Sequence, residues 1–325
     1  MQLITAPAAP PLSRVEPPAR EPLKVGLVQH RWHSDAATLR AELTDAVGQA
    51  AGAGARVVFL SELTLSRYPA FVRGGENPSA AAEPLQSGPT FEFAANAAAK
   101  HGVVVHASLY ERADAGDGLG LNTAVMVSPE GELLARTRKL HIPVTAGYYE
   151  DTYFRQGPTD DAYPVHAPEG LGGARFGLPT CWDEWFPEVA RMYSLGGADA
   201  LVYPTAIGSE PDHPDFDTEP LWQQVIVGNG IANGTFMIVP NRYGDEGMIA
   251  FYGSSFISDP YGRILVQAPR AASAVLVAEL DLDQRRDWLA LFPFLLTRRP
   301  DTYGRLAAPV DAGAPYGSAA RGTEA

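Results

Sequence analysis

Arg175-Phe-Gly-Leu-Pro-Thr-Cys181-Trp-Asp-Glu-Trp-Phe-Pro-Glu188 contains the one cysteine of a 325-residue chain. The apolar run Phe176 to Pro179 reads as the end of a buried strand. A helix is expected after the turn, with apolar positions at Val189, Met192, Tyr193 and Leu195. A cysteine at a strand-to-helix turn stands at the carboxyl end of a sheet, where small-molecule sites form. The start of the following helix would favour thiolate over thiol. The alternative is a buried cysteine acting as a small apolar residue. Asp183 and Glu184 argue against a wholly apolar surrounding.

Strands and helices alternate outward from this stretch. Strands are expected at Lys24–Gln29, Arg56–Leu60, Gly102–Tyr110, Asn122–Val127, Leu133–Lys139, Ala200–Tyr203, Phe236–Pro240, Ala250–Ser258, Arg263–Gln267 and Ala274–Leu280. Helical spacing covers Ala36–Ala53, Phe91–His101 and Glu219–Asn233. Alternation combined with hairpins predicts an α/β fold with mixed sheets and helices outside. Residues 1–22 are rich in Pro and Ala and read as a flexible or polyproline-like arm. The domain proper is 23–305, and 306–325 reads as a flexible tail.

Composition narrows the partners. Hydrophobic residues make up 46% and charged residues 19%, and the formal net charge is −13. That balance disfavours nucleic acid and anionic membranes and leaves a small molecule as the expected partner. No apolar run is long enough to span a bilayer. A single cysteine fits a reducing cytoplasm. Gly116-Asp-Gly-Leu-Gly120 is too short for a dinucleotide fingerprint and falls in a turn. His101, His106, His141 and His213 lack metal-ligand spacing. Neither a cofactor nor a metal is expected.

Four polar residues stand where strands run out: Glu62, Lys139, Glu150 and Cys181. A thiol nucleophile needs a base, which a carboxylate in a dry pocket supplies. A tetrahedral intermediate needs a cation or N–H donors at its oxygen, and a lysine ammonium is a compact charge for that. Each residue alone is more often a surface charge.

The order Glu, Lys, Cys and its flanking sequence resembles the nitrilase superfamily of carbon–nitrogen hydrolases. Within it the chain is similar to the N-carbamoylputrescine amidase and carbamoylase branch. The matching stretches are Arg138–Pro143, Cys181–Glu188, Tyr203–Pro211, Phe251–Ile257 and Arg298–Gly304. The resemblance implies a four-layer αββα sandwich that pairs into homodimers or larger homo-oligomers. It implies Cys181 as nucleophile, Glu62 as general base and then acid, and Lys139 as oxyanion partner with the Trp182 N–H. Glu150 matches the family's second glutamate, which orients the lysine. The implied substrate is an N-carbamoyl amine or amino acid, hydrolysed with release of ammonia and carbon dioxide. An aliphatic amidase, a nitrilase or a catalytically silent binding protein are the alternatives.

Some positions depart from the branch. Leu63 to Phe71 replaces a short aromatic segment and is expected to wall the pocket, with Tyr68-Pro69 resembling nitrilases. Asn229 stands where histidine is usual, and Glu184 where glutamine is common. The substrate-binding set expected from position is Tyr68, His141, Asp183, Glu184, Trp185 and Thr205. Glu210, Asp212, Asp215, Asp217 and Glu219 join Asp183 and Glu184 in an acidic entrance that favours cations. Arg67 is either a carboxylate-binding cation or an ion-paired surface residue.

Overall fold

The computed structural model describes residues 1–317. In chain order its elements are β1 (Gln2–Ala6), β2 (Leu23–Gln29), α1 (Ala36–Gly52), β3 (Val57–Phe59), α2 (Pro89–His101), β4 (Val104–Glu111), β5 (Leu121–Val127) and β6 (Leu133–Arg138). There follow β7 (Val165–His166), β8 (Phe176–Gly177), α3 (Pro187–Leu195), β9 (Ala200–Val202), α4 (Glu219–Asn233) and β10 (Phe236–Val239). The last are β11 (Tyr243–Asp245), β12 (Ala250–Tyr252), β13 (Phe256–Ser258), β14 (Ile264–Gln267), β15 (Ala274–Leu280) and α5 (Gln284–Leu291). None of the described helices is long and apolar enough to cross a membrane, and no described cluster of His, Cys, Asp and Glu could hold a metal.

Two sheets form the middle layers. One has seven strands in the order β1-β15-β2-β3-β4-β5-β6, the other six in the order β14-β13-β10-β9-β8-β7. Both are mixed: β2, β3 and β4 run parallel, as do β8, β9 and β10, with antiparallel strands outside them. Alternation along the strands sets the layers. Leu27, Phe59, Phe176, Val202, Ile238 and Leu276 meet in a dry seam between the sheets. Val28, Val58 and Val105 face α1 and α2 on one outer side. Leu201, Met237 and Val239 face α3 and α4 on the other. The outcome is the expected αββα sandwich. Helix α1 lies so close to β2 that a Cβ on Gly26 would stand 2.7 Å from the Ala50 Cβ, closer than packed carbons allow.

Two expectations fail. The N-terminal arm is not a free coil: β1 extends the larger sheet by pairing parallel to β15. Leu3, Ile4 and Thr5 precede the first proline and are good strand formers, and β15 offers an open edge. Farther along the arm, Arg20 binds both Asp199 (2.8 Å) and Asp283 (3.0 Å). The single strand expected over Ala250–Ser258 is two. Gly253 and Ser254 take left-handed φ of 62° and 55°, so β12 pairs with β11 in a small ribbon while β13 joins the six-stranded sheet. The expected tail 306–325 falls partly outside the described residues; Leu306 and Val310 are exposed.

Candidate active site

Glu62 sits three residues beyond the end of β3, on a turn where Leu63 adopts φ 47°. The wholly buried Arg242 fixes that turn by donating to the Glu62 and Leu63 carbonyls at 2.7 and 3.0 Å, and is balanced by Glu246 at 2.8 Å. Lys139 follows β6 directly. Glu150 begins a short 3-10 turn, and Cys181 begins another. All four side chains are buried.

One network joins three of them. Lys139 Nζ donates to Glu62 Oε1 at 3.0 Å and to Glu150 Oε2 at 2.7 Å. Asn122 Nδ2 donates to Glu62 Oε1 at 2.7 Å, and Tyr68 Oη to Glu150 Oε1 at 2.8 Å. Glu62 Oε2 is buried with no partner, which leaves one carboxylate oxygen unspent. Burial works against the Lys139 ammonium, but the charges of Glu150 and Glu62 outweigh it and hold its pKa well above the usual value. Burial pushes Glu150 up to about 7; the Lys139 charge opposes this and Glu62 adds to it. One ammonium thus serves two buried carboxylates.

Cys181 occupies a left-handed backbone position, φ 40°, after an N–H bond to the Pro204 carbonyl at 3.1 Å. Burial pushes its thiol well up, Glu62 pushes it further, and Lys139 pulls against both. The expected thiolate-stabilising helix is displaced: α3 starts only at Pro187, beyond a short 3-10 turn. Both features favour the thiol over the thiolate at rest.

Cys181 opens on a cavity of about 210 Å³ whose walls include Glu150, Trp182, Trp185, Tyr148, Glu210 and Thr218. Of the expected substrate-binding set, only Trp185 lines it. Tyr68 instead secures Glu150. Asp183 ties the Cys181 turn to the segment after Lys139: it accepts from the Thr180 N–H, the His141 N–H and His141 Nδ1 at 3.0, 3.0 and 2.7 Å. His141 also stacks on Phe186, with 3.8 Å between ring centres. Thr205 is buried and spends its hydroxyl on the Tyr203 carbonyl. Glu184 is not at an entrance but fully enclosed, both carboxyl oxygens unpartnered. Burial, then the Glu62 charge, raises its pKa well above the usual range and favours the neutral acid. Asn229 donates to the Glu184 carbonyl at 3.0 Å and so pins this turn to α4. Arg67 is spent on the Glu246 carbonyl and on the faces of Phe71 and Trp32, and does not line the Cys181 cavity.

Asn122, Arg242 and Tyr148 were not singled out from the sequence. The signal that could have found the first two is a polar residue inside or next to an apolar strand, which must have a partner.

Comparison with known proteins follows the same lines. The model of the family described as Carbon-nitrogen hydrolase matches residues 24–290. A citrullinase of Francisella tularensis is 34% identical over 297 residues, 87% of this chain and 98% of the relative. An N-carbamoylputrescine amidase of Arabidopsis thaliana is 34% identical over 293 residues, 87% and 95% of the two chains. Among solved structures, a carbon–nitrogen hydrolase from Helicobacter pylori G27 superposes with a TM-score of 0.75 at 29% identity, covering 88% of this chain and 99% of its own.

Proposed function

The chain belongs to the carbon–nitrogen hydrolase family, and on that premise we propose that it is a thiol hydrolase of ureido compounds, splitting N-carbamoyl amines to amine, ammonia and carbon dioxide. One observation carries the mechanism: a buried thiol beside a carboxylate with one free oxygen, and a single lysine shared between that carboxylate and a second.

In the proposed cycle Glu62 takes the thiol proton as Cys181 adds to the ureido carbon. The developing oxyanion is stabilised by the Lys139 ammonium and the Trp182 N–H. Glu62 returns the proton to the leaving nitrogen, the C–N bond breaks, and a thiocarbamate remains on sulfur. Water, deprotonated by Glu62, cleaves that thioester-like bond, and the carbamic acid released loses carbon dioxide. Glu150 holds Lys139 in place and Tyr68 holds Glu150.

The acids Glu150 and Glu210 on the cavity wall support a substrate with a positive group. The names of the two relatives support the carbamoyl group. The exposed Met192 and Leu195 of α3 and Leu221 of α4 support assembly of two copies through the outer helices.

The test is ammonia release from matched ureido compounds, aliphatic amides and nitriles. Turnover is expected to favour the ureido series and to vanish in Cys181→Ala with the circular dichroism spectrum unchanged. Preference for plain amides or nitriles would refute the substrate reading. Wild-type turnover in Cys181→Ala would refute the mechanism.

A further inference from the structure

We infer that the substrate bears an α-amino-acid head, read outside the nucleophile's cavity by Arg270 and Asp217. The inference rests on the ureido reading above and names the substrate class within it.

The cavity at Cys181, at about 210 Å³, has room for roughly seven waters at ~30 Å³ each. A carbamoyl group and a short alkyl linker fill such a space, so a larger head must lie beyond it. Glu210 and Thr218 form the wall, joined at 3.3 Å. Thr218 also lines a second cavity of about 410 Å³. The charged residues lining the second cavity are Asp215, Asp217 and Arg270. Thr218 thus stands between the Cys181 cavity and one guanidinium flanked by carboxylates, whereas the cavity that shares Thr145 and Glu210 with it is lined by Asp212 and His213 and has no guanidinium.

Arg270 presents its fork: Nη1 and Nη2 contact the two Asp217 oxygens at 2.8 and 2.9 Å. The guanidinium lies over the Tyr252 ring at 5.6 Å, which holds it on the cavity wall. Both side chains of the pair are about half exposed, so the pair contributes little net stability and opens at small cost. An α-carboxylate matches the arginine fork, and an α-ammonium matches Asp217. Inserting such a head exchanges one ion pair for two. A plain amine could use only the aspartates, and a plain acid would face two carboxylates with one cation.

Three substrates isolate the effect. Citrulline is N-carbamoylputrescine with a carboxylate added at the amine-bearing carbon, and 5-ureidopentanoate is citrulline without its amine. We expect wild-type kcat/KM to be highest for citrulline. Arg270→Ala is expected to lower the citrulline to N-carbamoylputrescine ratio at least tenfold. Asp217→Asn, which keeps the loop's shape, is expected to lower the citrulline to 5-ureidopentanoate ratio several-fold. Equal losses on all three compounds, or unchanged ratios, would mean that the pair only ties two loops together and would overturn the inference while leaving the ureido reading intact. No turnover of any of the three, with turnover of a simple amide, would overturn the ureido reading itself.

Discussion

Tyr68→Phe removes one hydroxyl from the proposed site and leaves the ring, packed edge-on against Phe71, Tyr148 and Phe251, in place. That hydroxyl donates to Glu150 Oε1 at 2.8 Å. Glu150 already stands at about 7, raised first by burial; Tyr68 is among the groups holding it down. A hydrogen bond to a charged group contributes about 1.5–3 kcal/mol, and one pKa unit corresponds to about 1.4 kcal/mol. Losing it should lift Glu150 by roughly 1–2 units. Protonated Glu150 can no longer hold Lys139 as an ionised partner, so activity should follow its ionised fraction. That fraction falls tenfold per unit below the pKa. The assay is kcat/KM against pH in both proteins. The expected result is an acid limb moved upward, a loss of roughly 10–100-fold at pH 6, and near-parental activity around pH 9.5. A loss of equal size at every pH would refute the reasoning, because a packing defect has no reason to titrate. Glu150→Gln should abolish the limb instead of moving it.

Two other outcomes are open to measurement. His106 is fully buried with both ring nitrogens unpartnered, and burial lowers its pKa to about 3. Between that value and the unfolded ~6.5 only the unfolded chain takes the proton, so the stability is complete above pH 6.5 and lost as pH falls; at pH 5 the loss is about 2 kcal/mol. Urea unfolding at pH 7 and pH 5 should show His106→Asn sparing about that much of the parental acid loss, and an identical loss in both proteins would refute the assignment. The exposed outer helices predict a light-scattering mass of at least twice the 34.7 kDa chain at micromolar protein, and a lone monomer would refute the assembly.

The layers were legible because each strand carries its own alternation and each helix its own apolar stripe. Glu62, Lys139 and Cys181 were legible because they stand shortly past strand ends, whereas Glu150 lies in a turn well beyond β6 and was legible through the family resemblance. The N-terminal strand was missed because the prolines and alanines that begin at Ala6 mask five residues whose structure depends on a distant edge. The division at Gly253 was missed because strand-forming apolar residues stand on both sides of Gly253-Ser-Ser255, and the left-handed φ at 253 and 254 is what separates the halves. His141, Asp183 and Thr205 were placed near the substrate by chain position. Proximity in sequence carried no information about direction: Asp183 turns back to knit two loops, and Thr205 to bond its own backbone. Glu184 was read as solvent-facing because carboxylates usually are; here burial raises its pKa well above the usual range and favours the neutral acid.

The backbone at residue 181 has a consequence for how such a protein can change. Left-handed φ costs a residue with a Cβ about 1–2 kcal/mol, and glycine almost nothing. The folded state thus prefers, at this one position, the amino acid that carries no thiol. Conformational preference and chemical need are opposed at Cys181, and the surrounding turn, with Asp183 knotted to His141 and Asn229 anchored on α4, is what keeps the cysteine where the chain alone would not put it. Drift that relaxed the fold would remove the cysteine first, so the proposed role of the thiol, and not structural convenience, is what would keep it there.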